Sequence, residues 1–184
     1  MNLAQVASRW RVRLGYPLAI LVLLLARPTP LSMLLGAVVG AAGLLVRARA
    51  AGYLHKQQVL TVSGPYAYTR NPLYLGSAIL AAAVAIASYS WSSALILFCY
   101  FGLFYSLVMG REEQELRMHY GASFDHYARA VPLFLPRLTP ARLPSNNPIA
   151  FSLAQYNKNR EYRAAIGFLL LLIVLFVIWR VRLS

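Results

Sequence analysis

The chain has 184 residues, 59% of them hydrophobic and 12% charged, where a soluble globular domain carries about 45–50% and about 25%. That composition excludes a disordered chain and an ordinary soluble domain. Its 18 Lys and Arg against 5 Asp and Glu give a formal net charge of +13, which would suggest a nucleic-acid partner only if the chain were soluble.

Residues 14–26 form the first apolar run, 13 residues long, or about 20 Å of helix at about 1.5 Å per residue. A span needs about 20 apolar residues, so this run crosses only if Trp10, Arg11 and Arg13 snorkel at its end or the bilayer thins. Ala-Arg-Pro-Thr-Pro at 26–30 lacks the small-x-small pattern of a cleaved signal peptide, so a retained anchor is expected. Spans are expected next at 28–46, 72–88, 91–109 and 164–179, the middle pair being one apolar stretch divided at Ser88-Tyr89-Ser90. Gly36, Gly40 and Gly43 place small residues on one face of 28–46, the pattern of close helix packing. The expected fold is an all-α integral membrane protein with about five transmembrane helices. It divides into an N-terminal helical hairpin (1–50), a central core (53–137) and a connection with a last transmembrane helix (143–184).

With five spans, the intervening segments alternate sides. All the basic residues except Arg27, Arg180 and Arg182 then fall on one side, 15 against 3. The positive-inside rule makes that side cytoplasmic, with the N-terminus inside and the C-terminus outside. Much of the charge is thus a topology signal and a contact with anionic membrane lipids, and no nucleic-acid partner is expected. The lone cysteine, Cys99, lies inside a span and has no partner in the chain for a disulfide.

Polar residues gather in three segments on the cytoplasmic side: 47–70, 111–142 and 143–163. The first contains Gly64-Pro65, a turn, and Asn71-Pro72 just beyond it, a helix entry with Asn71 as the cap. Tyr66, Tyr68, Arg70, Asn71 and Tyr74 surround that helix N-terminus, whose amide groups and positive dipole end attract ligand acceptors. In the second segment, Arg-Glu-Glu-Gln-Glu-Leu-Arg-Met-His-Tyr continues a span as a helix leaving the membrane. Residues three and four apart share a face, so Glu113 is expected to reach Arg117, and Glu115 to reach back to Arg111. Glu112 sees Val108, Met109, Leu116 and another acid. It is the acid without a helical counterion, and at the membrane boundary it needs a cation from elsewhere, either Arg70, Arg129 or another basic side chain, or a cationic ligand. The third segment is turn-rich, then a polar helix start, at most a lid. The histidines lack metal-ligand spacing, no phosphate loop or dinucleotide motif occurs, and no metal is expected.

Tyr66-Ala-Tyr-Thr-Arg-Asn-Pro-Leu-Tyr-Leu-Gly76, two spans, Glu112-Glu113, then Tyr120-Gly121, Tyr127 and Val131-Pro132 resemble the membrane-embedded isoprenylcysteine carboxyl methyltransferases and their phospholipid methyltransferase relatives. The likeness covers about residues 53–137. It implies S-adenosylmethionine as methyl donor, held from the cytoplasmic side by Gln58, Val59, Leu60, Thr61, Tyr66, Arg70, Asn71, Pro72, Leu73, Tyr74 and Glu112. It also implies a lipophilic acceptor, a prenylcysteine-like carboxylate or a phospholipid amine. Asn71 stands where the family more often has histidine. Val108 stands where the prenylcysteine enzymes carry an arginine for the substrate, a role open to Arg111 one turn on. A carboxylate acceptor needs no base, since its attack on a sulfonium destroys both charges in a site of low dielectric. An amine acceptor must lose a proton to Glu113, His119 or Asp125. Two rivals remain: an NADPH-dependent sterol or steroid reductase-like enzyme, and a non-catalytic lipid-binding protein. On the counterion reading, Glu112→Gln weakens donor binding and Glu113→Gln leaves it nearly intact.

Overall fold

The computed structural model describes residues 3–55, 58–143 and 149–183, with side chains from residue 13 onward. Regular structure among the described residues is helical, with no strand. In order come α1 (Leu3–Leu25), α2 (Pro30–Tyr53), a 3-10 turn (Gly64–Ala67), α3 (Pro72–Ser88), α4 (Trp91–Tyr120), α5 (Ala122–Ala130), α6 (Leu153–Lys158) and α7 (Tyr162–Leu183). α2, α4 and α7 are long and apolar enough to cross a membrane, and Arg13–Leu25 and Pro72–Ser88 are shorter apolar helices. Leu34, Val38, Phe98, Leu169 and Ile173 turn outward along them, each more than half exposed, which suits lipid rather than water. This is the all-α membrane fold expected from the sequence.

α3 coincides with the span expected at 72–88, and its division from α4 falls at Tyr89, which takes a left-handed φ of 47°. Ser90 then caps α4 by accepting from Ser93 N at 3.3 Å. α4 runs to Tyr120 as one helix, so its last ten residues continue the span as expected. The expected snorkelling of Trp10 and Arg11, like the Pro-Ser-Asn-Asn-Pro stretch at 144–148, lies outside what is described, while Arg13 is exposed.

The glycine stripe of α2 takes two neighbours. A Cβ at Gly36 would fall 2.6 Å from Ala87 Cβ and 2.8 Å from Ala83 O, and one at Gly43 would fall 3.0 Å from Gly76 O, so α3 lies directly on the α2 backbone. Gly40 instead receives the ring of Phe168 from α7. Backbones this close gain dispersion contacts that lipid tails cannot supply. Gly36→Ala is accordingly expected to destabilise the protein by about 1–3 kcal/mol through overpacking. The thermal midpoint in detergent should fall, and an unchanged midpoint would show that α2 and α3 separate freely.

The principal neighbour of α1 is α4; Ser93 Oγ donates to Val22 O at 3.2 Å between them. At that end of the bundle, Arg27 N donates to Ser88 O at 2.7 Å and Ser32 Oγ donates to Ala87 O at 3.1 Å. The helix-end carbonyls there are thus met from within the chain, as hydrocarbon surroundings demand.

At the opposite end the three polar segments come together. Ser63 Oγ donates to Ile149 O and Ser152 N to Gly52 O, each at 3.0 Å. Carbonyls in the last turn of α2 and at its C-cap accept from side chains: Asn159 Nδ2 donates to Ala51 O at 2.8 Å and Gln155 Nε2 to the C-cap Leu54 O at 2.6 Å. The segment read as at most a lid therefore caps α2 and is packed into the fold. The function-bearing candidates all sit at this end.

Candidate active site

Between α2 and α3 the chain makes a tight turn through Gly64, at φ +58°, with the Tyr53 ring against it; a Cβ there would fall 2.6 Å from Tyr53 Cε1. Only glycine fits such a place without strain. The turn carries Tyr66 inward, where its side chain is buried and its carbonyl accepts from Tyr127 Oη at 2.8 Å. Tyr127 belongs to a buried cluster with Phe124 and Val131, against which Leu60 packs.

Burial pushes both phenols well above the ordinary tyrosine value; nearby Tyr127 and Glu112 add to the effect at Tyr66, and Glu113 adds to it at Tyr127, against Arg70. Both therefore stay protonated in the folded chain when free tyrosines, at 10.0, ionise. Above that pH the unfolded chain binds fewer protons than the native one, so stability falls as pH rises. Alkaline unfolding should accordingly be delayed to higher pH in Tyr66→Phe with Tyr127→Phe, if the variant is scored against its own neutral stability. A superimposable pH profile would show that the phenols titrate normally.

α3 begins where expected, with Pro72 in the first turn and Asn71 at the cap position, but the Asn71 side chain does not cap it. Its Nδ2 donates instead to Leu133 O at 3.0 Å, a carbonyl of the 131–143 segment alongside that also accepts from Thr69 Oγ1 at 3.3 Å. Tyr74, one turn into α3, donates from its hydroxyl to Glu112 Oε1 at 2.5 Å. No basic side chain among the described residues pairs with Glu112. Arg70, one of the cations considered for it, goes to the neighbouring acid: Arg70 Nη1 lies 2.8 Å from Glu113 Oε1, an ion pair whose angles are not those of a hydrogen bond. The expected Glu113–Arg117 pair is not formed. Arg117 turns to Asp125 of α5 at 2.7 Å, since Gly121, at φ +52°, folds α5 back beside the end of α4. The expected Arg111–Glu115 pair is present at 2.7 Å.

Four buried polar atoms here have no hydrogen-bond partner among the described residues: Thr61 Oγ1, Tyr66 Oη, Arg70 Nε and Glu113 Oε1. Of the other expected donor-site positions, Gln58 and Val59 are exposed, Pro72 is buried, and Leu73 offers its carbonyl to Ser77 Oγ at 3.0 Å. The structure thus brings Tyr66, Arg70, Tyr74, Glu112 and Glu113 together around the start of α3 and turns Gln58 and Val59 outward.

Arg47 was counted only as a topology charge, yet it is part of this neighbourhood. Its guanidinium donates to Glu161, to Ser77 Oγ and, at 3.3 Å, to Leu73 O. Its stem crosses α3 at Gly76, where a Cβ would meet Arg47 Cγ at 2.4 Å. The signal was in the sequence: Arg47 continues the 36–40–43 stripe by one more turn. Below these residues an apolar cavity of about 210 Å³ lies between α1, α3, α4 and α7, lined among others by Gly15, Ser77, Val84, Phe101 and Tyr105. Tyr105 connects it to the site. Its ring stacks on Phe101 at 4.1 Å and meets Tyr74 edge-on at 5.3 Å.

Comparison with known proteins bears on this same stretch. Residues 44–123 match the family model described as phospholipid methyltransferase, as the Tyr66–Gly76 and Glu112–Glu113 motifs suggest. Among curated proteins, the nickel-cobalt-cadmium resistance protein NccN of Alcaligenes xylosoxydans xylosoxydans is 34% identical over 90 residues, 49% of this chain and 42% of the relative. The cobalt-zinc-cadmium resistance protein CzcN of Cupriavidus metallidurans is 31% identical over 102 residues, 55% of this chain and 47% of the relative. The chain thus spans less than half the length of both relatives. No solved structure matches it. Among the described residues no three His, Cys, Asp or Glu side chains gather as metal ligands.

Proposed function

We propose that the chain, matched over residues 44–123 to the phospholipid methyltransferases, is a membrane methyltransferase that uses S-adenosylmethionine at its cytoplasmic end and modifies a lipophilic acceptor in the bilayer. The carrying observation is Glu112, a carboxylate held by Tyr74 with no paired cation among the described residues, beside buried polar atoms that find no hydrogen-bond partner there. An unsatisfied buried polar group costs about 1–3 kcal/mol, so several in one region are best explained by a ligand that answers them. The methyl donor has matching chemistry: an ammonium for Glu112, a carboxylate and hydroxyls for Arg70 Nε, Thr61 Oγ1 and Tyr66 Oη, and a sulfonium for aromatic faces such as Tyr74.

S-adenosylmethionine, when bound, supplies a methyl carbon made electrophilic by the sulfonium. The chain's work is then to align an acceptor with it and to exclude water. Tyr74 and Tyr105 form the wall between Glu112 and the apolar cavity, which is suited to the acceptor's hydrocarbon part. For an amine acceptor Glu113, largely buried beside Arg70, is the candidate proton acceptor, whereas Asp125 has a side chain 42% exposed and His119 is exposed. For an anionic acceptor the α4 cation is Arg111.

Calorimetry on the detergent-solubilised protein tests the reading, with S-adenosylhomocysteine, NADPH and cobalt chloride in separate arms. Binding of S-adenosylhomocysteine alone is expected. NADPH binding alone would replace the reading with a reductase, metal binding alone with a role nearer the relatives' names, and no binding with a lipid-binding protein. A methyl-transfer assay comparing a prenylcysteine with phosphatidylethanolamine then chooses the acceptor.

A further inference from the structure

Residues 131–143 form a helix-free strap with two unlike edges. Its inner edge is hydrogen-bonded to the segment that carries Arg70 and Asn71. Arg70 N donates to Pro132 O at 3.0 Å, Arg137 N to Tyr68 O and Ala141 N to Ala67 O at 2.9 Å, and Thr69 Oγ1 to Phe134 O at 2.9 Å. Its outer edge is open: residues 135–140 are all exposed, Leu135 at 73% and Leu138 at 99%, with exposed Arg137 and Arg142 alongside.

The level at which this edge lies follows from Phe134, whose ring is 6.3 Å from that of Phe101. Phe101 sits ten residues before Arg111 within the apolar length of α4, about 15 Å back along the helix. The Phe134 ring therefore reaches the membrane-spanning part of α4 while the strap's backbone stays level with residues 67–70, at the boundary where bare leucines meet lipid. Charge points to the same partner, since no Asp or Glu occurs from residue 126 to 160 while Arg129, Arg137, Arg142, Lys158 and Arg160 do.

We propose that the strap is an interfacial anchor for anionic lipid. Leu135 and Leu138 enter the boundary between headgroups and acyl chains, and Arg137 and Arg142 take anionic headgroups. Because the inner edge is bonded to residues 67–71, bilayer composition then acts on the position of Arg70 and Asn71. The proposal is independent of the reaction assigned above.

The test uses full-length protein reconstituted in phosphatidylcholine bilayers with increasing phosphatidylglycerol, and Leu138→Trp as a reporter scored against the emission of Trp10, Trp91 and Trp179. Lipid brominated high in its acyl chains should quench the added emission, and aqueous iodide should not. Adding Arg137→Gln or Arg142→Gln singly should raise the phosphatidylglycerol fraction needed for half-maximal quenching by about fivefold, and adding both should move that midpoint beyond the attainable range. Leu135→Trp gives a second reporter if the first variant does not reconstitute. Quenching by iodide and not by brominated lipid would overturn the anchor. Protection from iodide found in native membranes and lost in these protein-free lipids would likewise overturn it, in favour of a protein partner. Lipid quenching that ignores phosphatidylglycerol and both arginines would overturn the anionic specificity.

Discussion

Glu112→Gln is expected to weaken S-adenosylhomocysteine binding about 10- to 100-fold, since a hydrogen bond to a charged group contributes about 1.5–3 kcal/mol. Glutamine keeps an oxygen able to accept from the Tyr74 hydroxyl, now 2.5 Å from Glu112 Oε1, so α3 and α4 should stay in register and the ligand-free thermal midpoint should move little. Tyr74→Phe removes a neutral partner of the carboxylate and should cost no more than about tenfold in affinity. Calorimetry on the three proteins decides the matter. Unchanged affinity in Glu112→Gln would sink the placement of the donor's ammonium at this carboxylate.

Glu113→Gln acts through a different route and shows a different size. Arg70 and Glu113 are both largely buried, with side chains 14% and 19% exposed, and removing one member of a buried pair costs about 3–5 kcal/mol because the other charge is left stranded. Either Arg70→Met or Glu113→Gln alone should therefore lower the thermal midpoint sharply. Arg70→Met with Glu113→Leu should recover much of the loss, because it replaces the ion pair with apolar groups. A double variant as unstable as the sum of the singles would show that the two residues act separately. Donor binding measured on the folded fraction should survive in Glu113→Gln, as expected from the sequence, but the variant is far from silent.

The contrast between the two acids shows what was legible in the chain. That Glu112 has no cation in its own helix could be read from spacing, and it holds in three dimensions among the described residues. That Glu113 would pair with Arg117 could also be read from spacing, and it fails. An exposed i,i+4 pair is worth only about 0.2–0.5 kcal/mol, too little to hold Glu113 outward once Arg70 arrives from beside α3 with no other acid to neutralise it among the described residues. Asn71 failed as a side-chain cap for a similar reason, because the Leu133 carbonyl competes for its amide.

The sequence by itself determined the membrane class, the apolar helices and the end of the bundle to search, because apolar run length, glycine spacing and charge asymmetry are properties of contiguous stretches of chain. Only the tertiary structure decided which charges meet. Arg47 finds Glu161 across 114 residues and Tyr74 finds Glu112 across 38, and such choices depend on how α2, α3 and α4 pack. In surroundings of low dielectric a charge takes whichever partner is brought within reach, and local spacing carries no information about partners so distant along the chain.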